Sequence, residues 1–111
     1  MVDHFIIDRK IWLRGEGTDM SSLLRRMDDK QCCLGIYLEA CGMPRDMLRE
    51  ISEPAYVLTT LPEETLWLMD TEKYQDINLM TINDNQDLWE TQRERKIAEI
   101  FAQHGITVEF V

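Results

Sequence analysis

Apolar residues are spread unevenly along this chain of 111 residues, and the longest apolar run lies between Cys32 and Cys41. The apolar positions recur at helical spacing, and Glu39 is the single charge in the run. A helix that is apolar on nearly all sides belongs inside a domain rather than on its surface. The pattern therefore predicts a central buried helix over about residues 32–41.

The residues around this run favour helix boundaries. Asp28 or Asp29 is expected to cap the first turn, where free N–H groups and the helix dipole favour a carboxylate. Gly42 suits the left-handed position after a helix, and Pro44 prevents continuation. Gly35 inside the helix costs about 1 kcal/mol relative to alanine, so we expect another element to approach the helix closely there.

A second helix is predicted over residues 92–104, near the end of the chain. Thr91 and Glu94 have the spacing of a capping box, and Gly105 suits the position after the helix. The helical spacing puts four residues on its inward face: Ile97, Ile100, Phe101 and His104.

Strands are predicted near both ends of the chain. Residues 106–111 alternate between apolar and polar, whereas residues 5–8 and 11–14 are rich in β-branched and aromatic side chains. The resulting fold class is α+β: one domain over residues 1–111, in which a small sheet including both termini packs against the two predicted helices.

The middle of the chain gives weaker patterns. Short helices are predicted over residues 45–51 and 62–69, the second with Pro62 in its first turn. Residues 55–60 and 77–82 fit either a strand or a helix, and residues 20–27 have no clear pattern. The residues expected to face inward from the two short helices are Met47, Leu48, Ile51, Leu66 and Trp67.

The net charge of −9 comes entirely from residues 46–90, which hold eleven acids and two bases. This sign argues against a nucleic-acid partner. It either keeps the protein soluble or attracts a protein with a basic surface. The expected partner-binding residues are the acids of this segment and one tryptophan in a polar context: Glu53, Glu63, Glu64, Asp70, Glu72, Asp76 and Trp89.

The three cysteines, Cys32, Cys33 and Cys41, indicate a cytoplasmic protein with reduced thiols. Their number is odd, and Cys33 and Cys41 would lie about 12 Å apart on one helix, which is too far for a disulfide. No apolar run is long enough to span a membrane, and the first ten residues lack the pattern of a signal peptide.

Cys32 also allows an enzymatic interpretation, because a thiol near a helix N-terminus can become a nucleophile. His104 would then act as the base, and Asn83 or Asp84 would orient it. The alternative is that the cysteines are small buried hydrophobic residues and that His104 only complements a helix C-terminus.

No metal or cofactor is predicted. Asn83, Asn85, Asp87 and Glu94 match part of a calcium loop, but Leu88 stands where such a loop needs glycine. The two glycines of residues 15–17 make a loop that lacks the Lys-Ser/Thr of a phosphate loop.

Four short motifs resemble small uncharacterised proteins of phages and prophages. They are WLRG at residues 12–15, CCLG at 32–35, INDN at 82–85 and the ending FAQHGITVEF. The resemblance implies an accessory protein that acts in a bacterial cytoplasm, and it implies no activity. The leading hypothesis is thus a non-enzymatic protein that binds a basic partner through residues 46–90. A thiol enzyme is the alternative, and a homo-oligomer remains open.

Overall fold

The computed structural model describes residues 1–14, 22–70 and 72–111. The predicted glycine loop at residues 15–17 and the start of the 20–27 segment lie outside these ranges. The helices and strands in chain order are β1 (His4–Ile7), α1 (Cys33–Ala40), α2 (Arg45–Leu48), a first 3-10 helix (Pro54–Thr60), a second 3-10 helix (Glu63–Met69), α3 (Gln75–Asp84), α4 (Glu90–Ala102) and β2 (Thr107–Phe110).

The two strands form a parallel sheet that joins the chain ends, which confirms the predicted α+β class. His4 pairs with Thr107 at one end of the sheet, and Ile7 pairs with Phe110 at the other. Alternation of side chains turns Phe5 and Ile7 into the core. Helix α1 contacts β1, and α4 contacts β2.

The predicted strand at residues 11–14 is not part of this sheet. The amide of Gln31 donates to the Ile11 carbonyl, and the amide of Leu13 donates to the Gln31 carbonyl. These bonds make an isolated parallel bridge between Trp12 and Gln31. The segment is extended, as expected, but its partner is Gln31, two residues before α1, rather than a strand.

Helix α1 is the centre of the fold, and its prediction is confirmed to within one residue at each end. Its residues 33–38 are all buried. The Tyr37 ring lies in an aromatic cluster, with centroids 5.3 Å from Phe5, 5.0 Å from Phe101 and 5.8 Å from Trp67. Burial of several rings in edge and tilted contacts stabilises a small core beyond the area that they remove from water.

Gly35 allows the close approach that its position in α1 predicts. A Cβ atom added there would lie 1.9 Å from the carbonyl oxygen of Leu23. The main chain of Leu23, which is fully buried, therefore lies directly against the helix at Gly35. The glycines after α1 and before β2 also behave as expected, since Gly42 and Gly105 have φ angles of 101° and 75°.

The expected cap of α1 by Asp28 or Asp29 is wrong. The Asp28 carboxylate accepts hydrogen bonds from Arg25, at 2.6 and 3.0 Å, and Asp29 pairs with Arg49 at 2.8 Å. The first amide of the helix, that of Cys33, instead donates to Oδ1 of Asn83 at 3.1 Å. A residue from α3 therefore takes the capping role, and sequence spacing does not reveal such a distant partner.

The predicted C-terminal helix is confirmed as α4, which begins two residues earlier than expected. The Trp89 amide donates to Oε1 of Gln92 at 3.0 Å, so Thr91 lies inside the first turn. The predicted Thr91–Glu94 capping box is wrong, because the Glu94 carboxylate is bound by Arg9 at 2.7 and 2.8 Å. Ile97 and Phe101 are buried as predicted.

The short middle segments differ most from the sequence pattern. Helix α2 is a single turn that buries Leu48 and leaves Met47 exposed. In the second 3-10 helix Thr65 and Leu68 are buried, whereas Leu66 is 45% exposed. A 3-10 helix repeats every three residues, so the α-helical spacing selected the wrong leucine. The two open segments are resolved as helical: residues 55–60 lie in the first 3-10 helix and residues 77–82 in α3.

Candidate functional site

Four of the predicted partner-binding carboxylates remain accessible to a partner. Glu63, Asp70 and Glu72 are exposed and Glu53 is half-buried. Within the described residues, none of the four makes an ion pair. The Asp70 side chain accepts one local hydrogen bond, from the Glu72 amide at 2.8 Å. Because all four lie within residues 53–72 of the chain, we refer to them together as the acidic surface.

The arginines of the chain explain why the acidic surface is unpaired. Every arginine lies within 4.0 Å of a carboxylate. Most of these carboxylates lie outside the acidic segment, in residues 1–45 or 91–111. Within the described part of the chain, Glu50 and Glu90 are the only acids of residues 46–90 that pair with an arginine. The folded protein therefore has no arginine left to neutralise the acidic surface.

Exposed apolar side chains occur in the same stretch of chain. Tyr56 is 70% exposed and Tyr74 is 54% exposed, and Leu58 and Leu66 are also exposed. The sequence analysis did not single out Tyr56, Leu58 and Tyr74, and it placed Leu66 on an inward face. Their position between acidic residues is the signal that could have identified them. Trp89 is 77% exposed, as expected from its polar context. Exposed aromatic residues are typical anchors of protein interfaces.

Glu64 is less accessible than the sequence suggested, because its carboxylate is used inside the protein. Oε2 accepts a hydrogen bond from the Val2 amide at 3.0 Å and lies 3.9 Å from the N-terminal amine. Two hydrogen bonds keep the pKa of this carboxyl below its ordinary value. The larger effect comes from the Cys41 thiol and the smaller one from the Val2 amide. Glu64 thus joins the chain start to the second 3-10 helix.

Asp76 is not an exposed residue, which corrects the expectation for this position. It lies in the first turn of α3 and is 7% exposed. Burial raises the pKa of its carboxyl, and the amides of Ile77 and Asp76 itself only partly oppose that shift. The sequence pattern missed this because the buried stripe of α3 is mostly polar.

We expect the substitution Asp76→Asn to raise the melting temperature at pH 7 more than at pH 3. The pKa is raised in the folded state, so the ionised carboxylate destabilises the fold above the ordinary aspartate pKa, and that penalty disappears when the group is protonated. Thermal unfolding followed by circular dichroism at both pH values measures the difference. The exposed Asp87→Asn is the control. An equal gain for Asp76→Asn at both pH values would contradict the burial argument.

The proposed nucleophile Cys32 is fully buried, whereas a catalytic thiol must be accessible to its substrate. Burial, together with a smaller effect of the Asp84 carboxylate, raises the pKa of its thiol to about 11, and the amides of Gly35 and Leu34 only partly oppose that shift. Cys33 is likewise buried, with its pKa raised by burial. An activated thiol needs the opposite environment.

The other members of the proposed catalytic set have separate structural roles. Asn83 is fully buried and uses its amide to bind the main chain of Leu13 and Cys33. His104 lies after α4, with its ring stacked on Trp67 at a centroid distance of 4.0 Å. Burial, followed by the charge of Lys73, lowers the pKa of the imidazole. Asn83 and Asp84 lie near the cysteines, whereas the His104 ring packs on Trp67. No described contact joins His104 to Cys32.

We expect Cys32 to resist alkylation in the folded protein. In a Cys41→Ser variant at pH 8, iodoacetamide should leave Cys32 and Cys33 unmodified, and 8 M urea should make both reactive. The reason is that a buried thiol with a raised pKa supplies almost no accessible thiolate at this pH. Peptide mass spectrometry before and after unfolding measures the modification. Rapid labelling of folded Cys32 would revive the thiol-enzyme hypothesis.

No metal site is evident in residues 1–14, 22–70 and 72–111, where no group of three or more His, Cys, Asp and Glu side chains could hold an ion. The partial calcium pattern is divided between other contacts, since Glu94 binds Arg9 and Asn83 binds main-chain groups. Helices long and apolar enough to cross a bilayer are also absent from the described chain.

The described residues form a small α+β fold in which four carboxylates lack ion-pair partners and several aromatic side chains are exposed. Comparisons with protein-family models, curated proteins and solved structures found no match to this chain. Its geometry is therefore the basis for the proposal that follows.

Proposed function

We propose that this chain is a non-enzymatic binding protein that attaches to a basic protein partner through the acidic surface. The observation that carries the proposal is the absence of arginine partners for Glu53, Glu63, Asp70 and Glu72 among the described residues, while every arginine is already paired. Unneutralised carboxylates attract a cationic surface and speed the encounter between the two proteins.

The exposed side chains Tyr56, Leu58, Leu66 and Tyr74 support a contact surface rather than charge alone. Charge steers association and sets specificity, but most binding energy in protein interfaces comes from a few buried aromatic and aliphatic anchors. The same stretch of chain offers both. Trp89 belongs to the proposal as a further anchor, because its ring is nearly free in the unbound protein.

The proposal also includes the setting implied by the sequence motifs, an accessory protein of a phage or prophage in a bacterial cytoplasm. No cofactor is required for binding of this kind. Self-association through the same apolar side chains is the other use of this surface, and the copy number of the chain in the captured complex distinguishes the two.

We expect a triple variant, Glu53→Gln, Glu63→Gln and Glu72→Gln, to lose its partner. The affinity-tagged protein would be used to capture proteins from bacterial lysate, with washes at 50 mM and 500 mM salt and identification by mass spectrometry. The unmodified chain should retain a stoichiometric basic protein at low salt and release it at high salt, because screening weakens exposed charge pairs. The triple variant should capture at least ten times less at low salt.

The matched control is the variant Asp3→Asn, Glu99→Gln and Glu109→Gln, which removes the same number of negative charges, all from exposed residues outside the acidic surface. It should capture as much partner as the unmodified chain. Equal losses in both variants would mean that net charge alone governs capture, and no partner at either salt would overturn the proposed function.

We expect Trp89→Ala to weaken capture about tenfold or more while leaving the fold intact. Truncation of an anchoring tryptophan typically costs about 2 kcal/mol or more of binding free energy. Because the ring is 77% exposed, its removal should change the free energy of unfolding by less than about 0.5 kcal/mol. Affinity measured by calorimetry with the captured partner, together with urea unfolding, separates the two effects. An unchanged affinity would remove Trp89 from the surface.

A further inference from the structure

A cavity of about 140 Å³ lies between the start of the chain, the second 3-10 helix and the segment after α4. Aromatic and aliphatic side chains form one part of its wall, and a carboxylate and an imidazole form another. These residues include Tyr37, Glu64, Trp67, His104 and Ile106. The volume suits a small molecule, since a cavity of about 150 Å³ accommodates benzene.

His104 is the residue that points to a ligand. Its ring lines the cavity and stacks on Trp67, and its Nε2 atom is buried without a hydrogen-bond partner in the described chain. Buried polar atoms nearly always have a partner, and each exception calls for an explanation. Because burial lowers the pKa of the imidazole, the neutral ring can accept a hydrogen bond at Nε2. An occupant of the cavity that carries a donor would supply the missing partner.

Glu64 brings a negative charge to the same cavity. Its carboxylate accepts hydrogen bonds from the Val2 amide at 3.0 Å and from the Cys41 thiol. The exposed terminal amine of Met1 lies 3.9 Å from Oε2, which is too long for a hydrogen bond. A carboxylate has about four acceptor positions, so Glu64 can accept a further bond from a cationic donor.

The aromatic and aliphatic part of the wall suits an alkyl chain. Tyr37 and Ile106 are buried, and Trp67 donates through Nε1 to the Tyr37 hydroxyl at 3.0 Å. This bond gives the polar atoms of both rings a partner, and apolar ring surface is left for contact with a ligand. Aromatic rings also attract cations. An occupant with a short apolar body and a positive, donating end therefore matches the whole wall.

Other kinds of occupant match the cavity less well. An anion would be repelled by the Glu64 carboxylate, and a purely apolar molecule would leave Nε2 of His104 without a partner. The charges of Lys73 and Asp70 act on His104 in opposite directions, Lys73 lowering and Asp70 raising the pKa of the imidazole. Glu63, a member of the acidic surface, lines a wider depression that shares Glu64 with the cavity. A cation attracted to the acidic surface would thus arrive beside the cavity.

We propose that the cavity binds a primary alkylammonium group, with its alkyl chain against Trp67 and Ile106 and its N–H groups on Glu64 and His104. Two sources carry this group, a free amine and the side chain of a lysine on the basic partner. The lysine source rests on the proposed function, whereas the binding of a free amine does not depend on it.

The test uses the full chain labelled with ¹⁵N and titrated with n-butylammonium chloride at pH 7. The imidazole ¹⁵N signals of His104 should shift with a saturable dependence on concentration. The signals of His4, the other histidine, should stay unchanged because it is exposed and does not line the cavity. Butanol lacks the charge and tetramethylammonium lacks N–H donors, although both have the same number of non-hydrogen atoms as butylammonium. Each should bind at least tenfold more weakly, because charge-assisted hydrogen bonds are the strong ones.

Two pairs of variants assign the contacts. Glu64→Gln should weaken butylammonium binding at least tenfold, whereas Glu63→Gln removes the same charge from an exposed neighbour outside the cavity wall and should not. His104→Leu removes the acceptor and should weaken binding to a similar extent, whereas His104→Gln keeps an acceptor and should retain most of the affinity. The melting temperature of each variant shows whether it is folded.

The cavity proposal and the proposed function can fail separately. Absence of a saturable His104 shift, equal affinity for tetramethylammonium, or equal losses in Glu64→Gln and Glu63→Gln would overturn the cavity as an ammonium site, and the lysate capture would still decide the proposed function. If a lysine of the partner occupies the cavity, 50 mM butylammonium chloride should release the captured partner, whereas the same concentration of sodium chloride should not. Saturable binding without such release would assign the cavity to a free amine.

Discussion

Replacing Gly35 with alanine is expected to lower the free energy of unfolding by about 3 kcal/mol or more. The added methyl group would lie 1.9 Å from the carbonyl oxygen of Leu23 and 2.7 Å from its Cα atom, so main chain rather than a flexible side chain must move. Small domains are stable by only about 5–15 kcal/mol. Urea unfolding followed by far-ultraviolet circular dichroism measures the loss.

Helix propensity alone predicts that Gly35→Ala would raise the free energy of unfolding rather than lower it. The substitution therefore distinguishes the steric contact from the intrinsic preference. Alanine favours a helix interior over glycine by about 1 kcal/mol. The control is Ala40→Gly at the exposed end of the same helix, which should cost about 0.5–1 kcal/mol. If Gly35→Ala were neutral or stabilising, the contact between α1 and the Leu23 main chain would be looser than the structure indicates.

The sequence predicted the parts of the fold in which one face is apolar. Helix α1 has continuous apolar positions, α4 buries Ile97 and Phe101 at helical spacing, and β2 alternates, so all three were located to within two residues. These elements contain enough local information because burial itself imposes the period. The two predicted strands indicated that the chain ends pair in a sheet. The sequence did not predict that this pairing is parallel or which residues are partners.

The sequence did not predict α3 and the two 3-10 helices correctly. The buried residues of α3 are mostly polar, and those of a 3-10 helix recur every three residues. The buried stripe of α3 includes Gln75, Asp76 and Asn83, which a hydrophobic pattern does not register. The 3-10 helices bury different residues than an α-helix of the same sequence would.

Local sequence also misassigned polar side chains whose partners are distant. Asp76 looked exposed and is buried, Glu64 is occupied by the chain start, and Asp28 binds an arginine instead of a helix. The acidic segment was predicted, but only the ion pairs of the described residues show that arginines leave Glu53, Glu63, Asp70 and Glu72 without a partner.

Asn83 is the residue for which we expect the second large effect, because its side chain connects three parts of the chain. Oδ1 accepts hydrogen bonds from Nε1 of Trp12 at 2.7 Å and from the Cys33 amide at 3.1 Å, and Nδ2 donates to the Leu13 carbonyl at 2.9 Å. Asn83→Leu removes all three bonds and leaves buried groups without partners. Each such group costs about 1–3 kcal/mol.

We therefore expect Asn83→Leu to lower the free energy of unfolding by about 3–5 kcal/mol, measured by urea unfolding at pH 7. Asn78→Leu on the exposed side of the same helix is the control, with an expected change below about 0.5 kcal/mol. A similar small change for Asn83→Leu would mean that packing alone holds α1, α3 and the Trp12 segment together.

Asn83→Asp distinguishes the loss of hydrogen bonds from a change in shape, because aspartate has nearly the same volume. The new carboxylate can still accept from Trp12 and Cys33, but it cannot donate to Leu13 and it lies beside Asp84. Burial and that neighbouring charge should raise its pKa in the folded state. The destabilisation should therefore be small at pH 3, where the protonated group regains a donor, and should grow as the pH rises above the ordinary aspartate value. A pH-independent loss would instead assign the effect to packing.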